Sequence, residues 1–152
     1  VRAFLRCSPA VTGALFLTFA GIPLLTVTPD PTVPAATVLP GGVYDPPWPV
    51  EKFPAQVGKA CDTWKDLTWP TAPRAKDYPV PGTALVIRGS NVYRNLGGDL
   101  PKTGHYREYD VNPRRPGARR DAERVVRDET AHTVWYTGDH YANFRKITSG
   151  CE

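Results

Sequence analysis

The stretch that decides the fold runs from Glu123 to Ile147, ERVVRDETAHTVWYTGDHYANFRKI. Three short runs rich in β-branched and aromatic residues, ERVVRD, HTVWYT and HYANFRKI, are separated by turn residues such as Thr137-Gly138-Asp139. Upstream, HYREYDV alternates, with Tyr106, Glu108 and Asp110 on one face and Arg107, Tyr109 and Val111 on the other. TALVI, residues 83–87, is an apolar run followed by the turn-like RGSN. Short strands with short connections predict an antiparallel sheet. Before them, KACDTWKDLTW places Ala60, Trp64 and Leu67 at helical spacing, and Pro70 and Pro73 predict an early stop. The expectation is a single small α+β domain over residues 58–152, its N-terminal helix packed on a twisted antiparallel β-sheet.

The chain has 152 residues, 41% hydrophobic and 11% aromatic, enough for a real core. A net charge of +4 permits a polyanionic partner without requiring one. The N-terminus, VRAFLRCSPAVTGALFLTFAGIPLLTVT, sets Arg2 and Arg6 before an apolar run from about Val11 to Leu25, and small residues follow at Ala35-Ala36. This layout reads as a secretory signal over residues 1–36. An uncleaved anchor is the competing reading, and Pro23 within a run short of about 20 apolar residues weighs against it. The next residues, 37–57, are proline-rich, lack a sustained period and read as an extended linker. Cleavage removes Cys7 and leaves Cys61 and Cys151, an even pair that reads as one disulfide in an exported chain. The expectation is a secreted, extracellular protein with no stable membrane association once the signal is removed.

Four side chains in the strand half carry chemistry: Glu108, Arg120, Arg124 and His140. A carboxylate, two guanidiniums and an imidazole suit attack by a 2′-hydroxyl on its neighbouring phosphodiester. The carboxylate takes the hydroxyl proton, the imidazolium protonates the leaving 5′-oxygen, and the arginines hold the phosphate while charge builds. This chemistry calls for no metal or other cofactor. His105, His132 and His140 lack ligand spacing. Each residue also has a plainer reading, as a solvated strand glutamate, a surface histidine or a hydrated basic loop. Spacing by itself leaves the two readings open, because sequence order does not show that distant strands converge.

The region from Cys61 to Cys151 resembles the bacterial guanyl-specific ribonucleases, the barnase-like family, and within it the short disulfide-bonded extracellular branch. The resemblance rests on YRNLGGDLP (93–101), HYREYDV, PGARRDAERVV and above all WYTGDHYANF, in the family's order and with flanking cysteines. It implies Glu108 as general base, His140 as general acid, and Arg120 and Arg124 as the phosphate-binding arginines. Tyr141 falls on a residue lining the phosphate and base pocket, and Tyr93, Arg94 and Asn95 on the loop that holds guanine. The implied reaction is cleavage of single-stranded RNA 3′ to guanosine through a 2′,3′-cyclic phosphate, followed by hydrolysis. A monomer and a small acidic inhibitor protein as partner are implied as well. Where the family's base loop carries a glutamate, this chain has Gly97. The lost charge-assisted hydrogen bonds, about 1.5–3 kcal/mol each, predict a weakened guanine preference unless Asp99 compensates. The alternative is a non-catalytic relative that binds RNA or another polyanion without cutting it.

Overall fold

The computed structural model describes residues 38–39 and 42–152. The expected signal over residues 1–36, and Cys7 with it, lie outside the described residues. In chain order the strands are β1 (Val38–Leu39), β2 (Val43–Trp48), β3 (Lys76–Pro79), β4 (Val86–Gly89), β5 (Asn91–Tyr93), β6 (Tyr106–Asp110), β7 (Arg124–Asp128), β8 (Val134–Thr137) and β9 (Phe144–Ile147). The helix α1 spans Ala55–Asp66, preceded by a 3-10 turn at Val50–Lys52. Seven strands form one sheet in the order β1-β2-β9-β8-β7-β6-β5, and β3 and β4 form a second, two-stranded sheet. The architecture is α+β.

β5 to β9 pair antiparallel in sequence order, as expected, but of the run HYANFRKI only Phe144–Ile147 is strand, because His140 and Tyr141 take positive φ in a turn before it. Three further features depart from the sequence reading. First, β2 joins β9 in parallel, so the main sheet is not purely antiparallel. Second, Pro70 and Pro73 do not cut the helix short. It has already closed at Leu67, and Thr68 and Trp69 then turn the chain at positive φ. Third, the proline-rich stretch is not an irregular linker from residue 42 onward, and the expected domain start near Gly58 falls inside α1. Pro46 and Pro47 fit into β2 because its register with β9 is interrupted between Tyr44 and Trp48. The Pro46 carbonyl takes a hydrogen bond from the Arg145 side chain at 2.5 Å, and the Trp48 carbonyl one from the Thr148 N–H at 2.8 Å.

The helix buries Val57, Ala60, Cys61 and Trp64, a spacing that lines one face. These residues share a core with Tyr109, Val125, Val134 and Ile147 of the sheet. Burying a side chain such as Val57 contributes roughly 1.5–3 kcal/mol. The Trp64 indole N–H donates to the Asp110 carbonyl at 2.8 Å, which ties α1 to β6. Cys61 and Cys151 form a disulfide across 90 residues and lock the helix to the chain's last turn. Closing a loop of that length is worth roughly 4–5 kcal/mol in the chain-entropy account. A second cluster of Leu100, Tyr106, Val126, Trp135 and Phe144 packs the other sheet face. Alternation then assigns the functional side chains. With Tyr109 and Val125 turned to the helix, Glu108, Asp110 and Arg124 belong to the opposite face.

Gly89, at the end of β4, lies against the Trp64 ring of the helix and the Tyr109 ring of β6. A Cβ there would stand 2.6 Å from both the Trp64 and Tyr109 rings, neither of which has room to withdraw. Gly89→Ala should therefore destabilise the protein by roughly 1–3 kcal/mol through overpacking. Urea unfolding checks this, and an unchanged midpoint would show that the two rings can part.

Candidate active site

β6, β7 and the loop between them bring three of the four expected catalytic residues, Glu108, Arg124 and Arg120, together. Glu108 in β6 stands opposite Asn91 of β5 and Val126 of β7, and Asp110 stands opposite Arg124. Glu108 is only 5% exposed, so its carboxylate needs partners. Asn91 Nδ2 donates to Oε1 at 2.8 Å, the Tyr141 hydroxyl donates to Oε2, and Arg120 Nη2 stands 3.5 Å from Oε1. Burial, and then the hydrogen bond to Glu108, raise the pKa of Tyr141, so its phenol stays neutral and keeps donating.

Asp110 organises the two arginines. The residue is 1% exposed, and its Oδ1 accepts from Arg120 Nε at 2.8 Å and Nη2 at 2.5 Å. Arg124 Nε lies 3.3 Å from the same oxygen, at ion-pair distance but without hydrogen-bond alignment, so that attraction is electrostatic. Arg124 is further held by Asp121 through its carboxylate at 3.2 Å and its carbonyl at 2.7 Å. Burial works against the charge of Arg120, but Asp110 outweighs it and holds the guanidinium's pKa above its ordinary value. Sequence alternation places Asp110 only on the Glu108 face. Its i, i+2 spacing from Glu108 is the one available signal for a role, whereas Asn91 and Asp121 carry none.

His140 is exposed and lies in the turn after β8. It shares an open cleft of about 580 Å³ with Arg119, Arg120, Asp121, Ala122 and Arg124. Among the described residues no hydrogen bond joins it to Glu108; the link runs through Tyr141, whose ring centre is 4.7 Å from the imidazole. His140 and Tyr141 both have positive φ, +59° and +74°, a conformation that bulky side chains rarely adopt. A dense set of bonds holds it. His140 N–H donates to the Ala122 carbonyl at 3.2 Å and Tyr141 N–H to Thr137 Oγ1 at 3.0 Å. The Asp139 carboxylate accepts from Thr137, from Asn143 N–H and from the Asn143 side chain, at 2.9, 2.9 and 2.7 Å. Burial opposes the charge of Asp139, and those bonds still hold its pKa below the usual value.

The loop after β5 forms the second part of the site. Tyr93 packs on Tyr141 and Phe144, with ring centres 5.2 and 5.7 Å apart. Burial, with the charges of Asp99 and Glu108, pushes the Tyr93 phenol up to about 12. Tyr93, Arg94, Asn95, Leu96 and Gly97 line a cleft of about 340 Å³. The Asn95 side chain is occupied in shaping this loop, donating to the Leu100 carbonyl at 2.7 Å and accepting from Leu100 N–H at 3.1 Å. Gly97 carries no acceptor, but a Cβ there would collide with the Asp99 carboxylate. Asp99 thus stands against position 97, and among the described residues its carboxylate makes no hydrogen bond or ion pair.

A family described as ribonuclease matches residues 43–148. The chain belongs to the ribonuclease family, that of the bacterial guanyl-specific ribonucleases. Two relatives from Kitasatospora aureofaciens are similar to it over 63 residues: guanyl-specific ribonuclease Sa3 at 40% identity and guanyl-specific ribonuclease Sa at 41%. Each match covers 40% of this chain, with 43% of Sa3 and 64% of Sa, so the chain spans less than two thirds of either relative. The family's extent agrees with the structure in beginning at β2, ahead of the boundary expected from the sequence.

Removing the negative partner shared by the buried Arg124 and the partly buried Arg120 should be severe. Asp110→Asn is expected to destabilise the fold by about 3–5 kcal/mol, as in broken buried pairs. Denaturant unfolding measures it, and a loss below about 1 kcal/mol would mean that the arginines find other partners.

Proposed function

We propose that this chain is a secreted endoribonuclease that cleaves single-stranded RNA on the 3′ side of guanosine. The observation that carries the reading is the convergence of Glu108, Arg120 and Arg124 on one sheet face, with Tyr141 bridging toward His140. Glu108 acts as general base and takes the 2′-hydroxyl proton as O2′ attacks phosphorus. His140 as general acid protonates O5′ as the P–O5′ bond breaks, leaving a 2′,3′-cyclic phosphate. Water then opens the cycle to a 3′-phosphate with the two proton roles reversed. Arg120 and Arg124 stabilise the phosphorane charge, and Asp110 keeps both guanidiniums oriented before substrate arrives. The Tyr141 hydroxyl is within reach of the same carboxylate–arginine cluster and can pass from Glu108 to a phosphoryl oxygen.

The base is held by the 93–99 loop, with the Tyr93 ring as one wall. Guanine alone among the RNA bases presents an imino and an amino donor side by side, which a carboxylate meets bidentately. With Gly97 in the loop, that carboxylate is Asp99, on a shorter stem, and guanine preference is weakened rather than lost. The disulfide suits an oxidising compartment and supports export after removal of a signal over residues 1–36. The enzyme acts as a monomer without a metal cofactor, and a small acidic protein suits its basic cleft as inhibitor.

Oxidised protein in EDTA, given GpU, ApU, CpU and UpU, tests the chemistry by cyclic-phosphate release. His140→Ala and Glu108→Gln should each lower kcat by about 100-fold or more. Tight, salt-sensitive RNA binding with no cyclic-phosphate product would instead establish the non-catalytic binding module. Base reading is tested separately. Asp99→Asn should lower kcat/KM for GpU by about tenfold, one charge-assisted hydrogen bond, while ApU changes little. An unaltered GpU to ApU ratio would remove Asp99 from the base site.

A further inference from the structure

The loop joining β6 to β7, NPRRPGARRDAE from Asn112 to Glu123, holds more cations than the proposed reaction uses. Four of its arginines are Arg114, Arg115, Arg119 and Arg120, and Arg124 follows directly. Arg114 binds the Asp77 carboxylate at 2.7 Å, Arg120 binds Asp110, and Arg124 binds Asp110 and Asp121. Arg115 and Arg119 are exposed, and among the described residues their guanidiniums make no ion pair or hydrogen bond. The acid nearest in sequence, Asp121, is already engaged by Asn112 at 2.8 Å, by Glu123 N–H at 3.0 Å and by Arg124.

The backbone presents these two arginines in a fixed arrangement. Arg115-Pro116-Gly117-Ala118 forms a tight turn in which Ala118 N–H donates to the Arg115 carbonyl at 3.0 Å. Proline in the second position and Gly117 at φ +77° in the third are the residues a type II turn requires. The turn brings its ends together, so Arg115 and Arg119 leave it as near neighbours. Its first arm is pinned to β4 by Val86 N–H to the Arg114 carbonyl and Arg114 N–H to the Val86 carbonyl, both at 2.8 Å. Its second arm is pinned by Arg120 on Asp110. Arg119 also lines the cleft that holds Arg120, Arg124 and His140. Two exposed guanidiniums on one anchored turn, one of them lining that cleft, meet an anion with little ordering cost.

We propose that Arg115 and Arg119 form a second phosphate subsite, which takes the phosphodiester flanking the scissile one in a single-stranded polynucleotide. The planar guanidinium fork suits phosphate, and an arginine with no carboxylate partner gives up no ion pair to bind it. The subsite rests on the ribonuclease reading for its substrate, but its binding can be measured without cleavage.

The test uses a short fluorescent single-stranded deoxyoligonucleotide, which lacks the attacking 2′-hydroxyl. Its affinity is followed against salt for the wild type, for Arg115→Ala/Arg119→Ala, and for Lys52→Ala/Arg74→Ala, which removes two exposed charges elsewhere. Every phosphate that goes unneutralised should flatten the log–log salt slope by about 0.7, so the first double variant, which loses one phosphate contact, should lose ~0.7 and the second almost nothing. Equal slopes for the two double variants, or no binding by the wild type, would overturn the subsite. A second arm compares kcat/KM for GpUpU and UpGpU with that for GpU. The gain from the extra nucleotide should fall in Arg115→Ala/Arg119→Ala, and the trinucleotide affected shows on which side the phosphate lies. A gain unchanged for both trinucleotides would overturn the proposal. Failure of the wild type to cleave any dinucleotide would count against the catalytic reading alone, since the deoxy probe reports on the subsite directly.

Discussion

Asp110 is the residue on which the rest depends. Its carboxylate neutralises two arginines on one face of β6, while its carbonyl receives the Trp64 indole N–H from the helix packed on the other. A buried guanidinium without a counter-charge is far more costly than the same group in water. Arg124, 2% exposed, can therefore sit beneath the cleft only because Asp110 and Asp121 meet it there. The same residue thus fixes the distance between core and site.

The rest of the candidate site is held in a different way. His140 and Tyr141 lie on a turn whose backbone is strained, and the strain persists because Asp139, Thr137 and Asn143 over-determine the turn. Local bonds aim the imidazole into the cleft from one side. Long-range pairing of β5, β6 and β7 aims the carboxylate and arginines from the other. Tyr141 joins the two, through its hydroxyl to Glu108 and its ring against His140 and Tyr93. The cleft, the loop after β5 and the strained turn are therefore one connected arrangement.

Alternation in HYREYDV and the short aromatic runs after Glu123 made β6 to β9 legible, because a strand with one polar and one apolar face writes its period into the sequence. The proline-rich stretch defeated the same reasoning. Its strand, β2, lies alongside β9, with one register break, and no local period announces a pairing partner about 100 residues away. Prolines after the helix suggested interruption, but the chain had already turned at Thr68 and Trp69, so they mark an end rather than a break. In the site, Glu108, Arg120, Arg124 and His140 could be named from motif and residue type. Asn91 and Asp121 could not, since their importance comes only from standing opposite or beside those groups.

By itself, the sequence determined which residues could do acid–base and phosphate chemistry, the pairing of Cys61 with Cys151, and the strands of the second half. Those properties are local, being side-chain chemistry, cysteine count and a two-residue period. Only the tertiary structure decided which arginines are neutralised and which stay free, that Asp99 stands against Gly97, and that the N-terminal stretch enters the sheet. These are outcomes of burial and cross-strand register. They depend on which groups meet after the chain has closed, and spacing along the sequence does not record that.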